Sequence, residues 1–224
     1  MTVVSLAAEL VLLTRDASGG SRLGSAHLTP GVGGALLLEL ALAERVEVSG
    51  RKVIARDTRP VGDSPTDAAL ARIATERART PKAWVNLLGK AGRQPVLDQL
   101  VGAGILRAHH DKVLLVFPRT RYPDAHGTPS PAEADALRRI RAAVTGTGEV
   151  PARTAALCAL VGAVGFDRKV FGDLPRGQVR ARMKEIGEGA WAADAVRRAI
   201  AEVQAAVMAG IVASTTASTA ATTS

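Results

Sequence analysis

Four kinds of residue in this 224-residue chain could do chemistry, and each sets its own spacing test. Glycines 31, 33 and 34 open the stretch "GVGGALLLELALAERVEV" as a phosphate-cradling loop would. A dinucleotide fingerprint needs Gly-x-Gly-x-x-Gly after a strand, but Leu36 stands where the third glycine belongs. A P-loop needs Gly-Lys-Ser/Thr, which occurs nowhere in the chain. Gly33 and Gly34 are therefore read as points of close helix packing. "GDS" at 62–64 suggests a nucleophilic serine, but Pro65 turns the segment into a helix start with its cap near Ser64. His27, His109, His110 and His126 show no metal-ligand spacing, so neither a metal nor a cofactor is expected. The single cysteine, Cys158, lies in apolar "AALCALVGAVG" and reads as a small buried side chain. It cannot form an intramolecular disulfide, which fits a reducing compartment. No catalytic residue is assigned, and the chain reads as a binding protein, not an enzyme.

The elements that must position these residues follow from composition and period. Apolar residues make up 47% of the chain but aromatics only 3%, so Leu, Val and Ala fill the core, which favours closely packed helices. Helical spacing covers 3–14 and then 31–43, with Pro30 at the start. A capped helix follows Ser64. "PKAWVNLLG" and "QPVLDQLVGAG" read as two short helices, the second with Pro95 in its first turn. Further helices are expected at 131–145, 151–164, 175–187 and 191–209. Two short strands, 45–48 and 52–56, flank a Ser49-Gly50 turn. "ILRAHHDKVLLVFP" alternates like a hairpin with its turn near His110-Asp111. Within it, Val113, Leu115 and Phe117 fall on one face and Leu114 and Val116 on the other, so both faces are apolar. One face can pack on the helices, and the other needs a neighbouring subunit or an acyl boundary. The uncharged "STTASTAATTS" reads as a disordered low-complexity tail, which gives one domain over 1–209 and a tail over 210–224.

The formal charge of +8 attracts polyanions: nucleic acid, anionic lipid or phosphorylated ligands. A short helix followed by a hairpin over 95–117 is the wiring of a winged helix. That helix turns only Asp98 and Gln99 outward, and Asp98 would repel phosphate, so a nucleic-acid regulator ranks second. The apolar run at 155–165 is too short to span a bilayer, which needs roughly 20 residues. "MTVVSLAAELVLLTRD" lacks a basic leader region and carries Glu9 in its apolar stretch, so a cytoplasmic protein is expected, able to meet the inner face of a membrane.

"GALLLELALAERVEV", "RPVGDSPTDAAL", "AWVNLL", "LVGAGIL" and "KVLLVFPRTRYP", in this order and spacing, resemble the Golgi phosphoprotein 3 family, which has bacterial and notably actinobacterial members. The resemblance covers roughly residues 3–208. It implies a mainly α fold, a central helical bundle ringed by further helices, with short β-hairpins, one protruding and apolar. It also implies a non-enzymatic peripheral membrane protein that binds phosphatidylinositol 4-phosphate, an anionic phospholipid headgroup. The family's headgroup pocket resembles one Trp and three Arg around the phosphate. Two of the arginines fall on Lys90 and Arg93, read as preceding a helix N-terminus that would favour an anion. The third falls on Gly33 and the Trp near Gly24, so the pocket is half retained, with His27 and Arg45 as the residues that could complete it. In the family the corresponding hairpin contributes to oligomerisation, which points to a homo-oligomer through Val113, Leu114, Leu115, Val116 and Phe117. A module for unknown client proteins that has lost lipid selectivity is the remaining alternative.

Overall fold

The computed structural model describes residues 4–113, 117–188 and 194–220. Among these it is mainly helical, with nine helices and two short antiparallel hairpins, as expected. The order is α1 (Leu6–Leu13), α2 (Ser25–Leu42), β1 (Val46–Ser49), β2 (Lys52–Ala55), α3 (Ser64–Thr75), α4 (Pro81–Gly102), β3 (His109–Val113), β4 (Phe117–Arg121), α5 (Pro131–Thr145), α6 (Ala152–Ala163), α7 (Asp167–Val170), α8 (Arg176–Glu188) and α9 (Asp194–Ala220).

Helix α2 is the axis of the molecule because its sequence is apolar on every side. Leu28, Leu36, Leu37, Leu38 and Leu40 are all buried, each contributing roughly 1.5–3 kcal/mol by leaving water. Its glycines face three different neighbours. A Cβ on Gly31 would lie 2.7 Å from Val164, just after α6, and one on Gly34 2.5 Å from Val207 of α9. On Gly33 it would lie 1.9 Å from the Val85 carbonyl oxygen of α4. The glycine cluster that mimics a phosphate loop is what lets three partners close on one helix.

Helix starts follow the capping chemistry of the sequence. The Thr80 hydroxyl accepts from Ala83 N–H at 3.3 Å and the Ser130 hydroxyl from Glu133 N–H at 3.1 Å, each with Pro next in the chain. At α3 the cap is Asp63, one residue before the expected Ser64, because a carboxylate can accept both Thr66 N–H at 3.1 Å and the Thr66 hydroxyl.

Four expectations are corrected. Pro30 sits inside α2, since Gly24 O already closes the first turn with His27 and Leu28 N–H. The two short helices around residue 90 are one helix, α4. Pro95 deprives the Ala91 carbonyl of its N–H donor, but both residues lie on the exposed face, where water replaces the bond. The first hairpin turns at Gly50 (φ 53) and Arg51 (φ 65), a left-handed pair that matches strand twist, and not at Ser49-Gly50. Finally, α9 runs on to Ala220, so 210–220 is helical and not a disordered tail; Gly210 packs there against Pro30 and Asn86.

The second hairpin is also wired differently. His110 and Asp111 lie within β3, and the register from His109↔Arg121 to Val113↔Phe117 puts the connection at 114–116. Val113 and Phe117 therefore belong to opposite strands and are paired with each other. Leu114, Leu115 and Val116 lie outside the described residues. The hairpin is tied to the body by Arg107 N–H to Pro123 O at 2.9 Å and Tyr122 N–H to Gly19 O at 2.9 Å.

Candidate functional site

Lys90 and Arg93 stand one helical turn apart in the middle of α4, Lys90 exposed and Arg93 half-buried. They do not precede a helix N-terminus, because the chain stays helical through Pro95. Any anion they hold is met by side-chain charge and not by free helix N–H groups. Neither makes an ion pair or side-chain hydrogen bond among the described residues. Other arginines are paired, Arg139 with Glu9 at 2.6 Å, Arg153 with Glu39 at 2.7 Å and Arg72 with Glu76 at 2.7 Å.

At 100° per residue, Lys82, Asn86, Lys90 and Arg93 fall on one narrow face of α4. Sequence reasoning missed Lys82 because "PKAWVNLLG" was read as a separate helix. With α4 continuous, its exposed side chain joins the other two. Helix α9 crosses this strip at Asn86, where a Cβ on Gly210 would lie 2.9 Å from Asn86 Oδ1. Lys82 and Lys90 thus flank the crossing by one turn each. On the far side of α9 from Gly210, Met208 is 48% and Val212 64% exposed, four residues apart on one face. From Val203 to Ala220 the chain carries no charge.

The other expected site residues are not brought to this strip by bonds. His27 is half-buried at the start of α2, with Nδ1 at 3.1 Å from Val164 O. A carbonyl can only accept, so Nδ1 donates to it. Arg45 lies past the other end of α2, whose rise from His27 to Leu42 is about 22 Å at 1.5 Å per residue. Its guanidinium is engaged in shaping the loop after β2, with Asp57 at 3.0 Å, Arg59 O at 2.9 Å and Ala43 O at 3.0 Å. Hydrogen bonds from Arg59, with Arg45 adding charge, pull the Asp57 carboxyl down to about 2. Arg45 is a loop staple and not part of a pocket with Lys90.

The two missing pocket residues differ in kind. Gly24, the N-cap of α2, is exposed with nothing within 4 Å of a Cβ, so a large side chain would fit there and is simply not encoded. Gly33 is covered by the α4 backbone, with Val85 O and Gly89 N in the space an arginine stem would need. Among the described residues no group of three or more His, Cys, Asp or Glu converges on a common metal position, and no helix is long and apolar enough to cross a membrane.

The Golgi phosphoprotein 3 (GPP34) family model matches residues 6–203, from the first residue of α1 into the buried part of α9. The chain belongs to the Golgi phosphoprotein 3 family. No curated protein sequence matches it. Within this GPP34 domain, the mainly helical fold with two short antiparallel hairpins is the one that the five sequence stretches led one to expect.

Proposed function

We propose that this GPP34 domain is a non-enzymatic peripheral protein that docks on anionic phospholipid surfaces through α4 and the second half of α9. The observation that carries this reading is the apolar ridge of Met208 and Val212 on a helix flanked by the unpaired cations Lys82, Lys90 and Arg93. Exposed apolar side chains enter the acyl boundary while the cations meet phosphate, a combination suited to an interfacial contact. The family's association with phosphoinositide headgroups supports the same surface. With Gly33 covered and Gly24 bare, the domain retains charge without an enclosing pocket, so the reading is of a phosphoinositide-like headgroup held with little selectivity, at the inner face of the membrane in the cytoplasm. Self-association through the second hairpin belongs to this proposal, since a two-stranded ribbon is marginal on its own. The nucleic-acid reading finds less support: the helix before the hairpin buries Val96, Leu97 and Leu100, and its exposed Gln94 and Asp98 bond each other at 2.7 Å.

Sedimentation with phosphatidylcholine vesicles, alone or with phosphatidylserine or phosphatidylinositol 4-phosphate, tests the reading, with duplex DNA as competitor and two salt concentrations. At ~1 kcal/mol per basic residue near an anionic surface, Lys90→Ala with Arg93→Ala should weaken binding about thirtyfold. The preference for phosphatidylinositol 4-phosphate over phosphatidylserine at equal charge should stay below about tenfold. No binding to either acidic vesicle, or an unchanged affinity in the double variant, would overturn the assignment.

A further inference from the structure

Charge is spread unevenly along this chain. From Arg77 to Leu97 it carries Arg77, Arg79, Lys82, Lys90 and Arg93 and no Asp or Glu. The run from Asp167 to Glu188 also holds six cations, but Asp167, Asp173, Glu185 and Glu188 stand among them. Glu76, the acid that borders the first run, is already held by Arg72 at 2.7 Å and Arg79 at 3.1 Å. An acid-free run keeps its positive field, whereas interspersed acids cancel theirs within a Debye length, about 8 Å at physiological salt.

The first hairpin adds to the acid-free run. Val53 N–H donates to Arg79 O at 2.8 Å, in an isolated antiparallel bridge. In that register Lys52 stands level with Thr80, the N-cap of α4, two residues before Lys82. Lys52, Arg77 and Lys82 are exposed, and none makes an ion pair or side-chain hydrogen bond among the described residues. Glu47, on the neighbouring strand, is taken by Arg56 at 3.3 Å. Two further contacts fix where the hairpin sits. Val46 to Ser49 line one cleft with Arg198 and Ala199 of α9. Gly210, about 16 Å further along α9 at 1.5 Å per residue, meets Asn86 of α4. Asn86 in turn lies about 9 Å along α4 from Thr80. Hairpin, α4 and α9 thus close a triangle, and the corner between hairpin and α4 carries Lys52 and Arg77 beside the strip that begins at Lys82.

We infer that the first hairpin is a second anchor on anionic phospholipid membranes, with Lys52 and Arg77 extending Lys82, Lys90 and Arg93 into one band. This anchor presupposes the α4–α9 docking surface proposed above and adds a point that the helix crossing does not contain. From the level of Lys52 to Arg93 the band runs about 20 Å along α4, long enough to meet several headgroups at once. A contact without an enclosing pocket needs that, because each cation contributes only a small increment and the increments add on one rigid body. The band also sets the orientation: α4 lies along the membrane plane, and α7 and α8 stay clear of it.

The test is sedimentation of the whole chain with phosphatidylcholine vesicles in which phosphatidylserine is the sole anionic lipid. Lys52→Ala with Arg77→Ala should weaken binding by about tenfold to thirtyfold. Arg168→Ala with Lys169→Ala, which removes two equally exposed cations from α7, should change it by less than about twofold. An environment-sensitive fluorophore on Ser49→Cys, at the exposed end of β1, should shift to the blue when vesicles are added. The same fluorophore on Gly177→Cys in α8, where a Cβ meets nothing within 4 Å, should not, and buried Cys158 does not compete for the label. Unchanged binding in the Lys52 and Arg77 variant, an equal loss in the Arg168 and Lys169 variant, or no shift at Ser49 would overturn the hairpin anchor. If Lys90→Ala with Arg93→Ala still weakens binding in that event, the α4–α9 surface stands without the hairpin. Absence of binding to the acidic vesicles would remove both. Should Lys52→Ala disturb the fold by circular dichroism, the two fluorophore positions decide the matter on chains that keep every cation.

Discussion

Replacing Gly33 by alanine should destabilise this domain although alanine is the better helix former. The added methyl carbon would stand 1.9 Å from Val85 O, 2.8 Å from Val85 C and 2.8 Å from Gly89 N. All three are backbone atoms of α4, so no side-chain rotation relieves the contact. Reaching an ordinary separation of about 3.4 Å requires the two helices to part by roughly 1.5 Å, which would loosen the Gly89–Thr29 and Gly92–Leu36 contacts as well. Overpacking of this kind costs about 1–3 kcal/mol or more, against a propensity gain of ~1 kcal/mol. Because the backbone cannot yield, the upper end applies, and a net loss of about 2 kcal/mol is expected. For a chain of this size that lowers the melting temperature by about 4–8 °C. Urea unfolding followed by helical circular dichroism is the assay. Gly187→Ala in α8, where nothing lies within 4 Å of the new carbon, is the control and should be neutral or mildly stabilising. If Gly33→Ala matches or exceeds the wild type, the close crossing of α2 and α4 is wrong. Gly33→Arg should be worse still, so supplying the family's third arginine would unfold the site instead of completing it.

Two further outcomes follow from buried groups. Cys158 is buried in α6, which pushes its thiol up to about 12, so only about one molecule in ten thousand is thiolate at pH 8. A disulfide reagent should leave it unmodified in the native protein and label it at once in denaturant; rapid native labelling would contradict its burial. Glu9 has a carboxyl raised from 4.5 by burial, so it holds its proton more tightly folded than unfolded. Its contribution is therefore full below pH 4.5 and declines as pH rises through the raised value. The stability of the wild type relative to Glu9→Gln should fall with rising pH above 4.5, and a difference that grows instead would refute the assignment.

Helix existence was legible wherever the pattern was strong. The expected helix at 131–145 coincides with α5, and the paired strands around Gly50 are present. Pro95 misled the reading because a sequence does not say which face of a helix meets water, and only an exposed Ala91 carbonyl makes that proline tolerable. From the broken helix came both the misplaced N-terminus behind Lys90 and the omission of Lys82. His27 and Arg45 were joined by closeness to one helix in sequence, whereas α2 holds them at opposite ends. The role of Gly33 as a packing residue was readable; its closure of the aligned arginine position required knowing that Val85 lies above it. The apolar ridge on α9 went unnoticed because a run of Ala, Ser and Thr without charge reads as low complexity until Gly210 is seen docked on α4.

The arrangement of α2 has a consequence for how the polypeptide is made. Gly34 is covered by Val203 and Val207, which leave the ribosome long after α2 itself. At roughly 5–20 residues per second, the interval is on the order of ten to thirty seconds. During that time this apolar helix has one flank without its permanent neighbour. Nascent chains of this domain are thus natural clients for whatever holds unfinished proteins apart, and premature stops before Val203 should yield aggregates instead of partial domains.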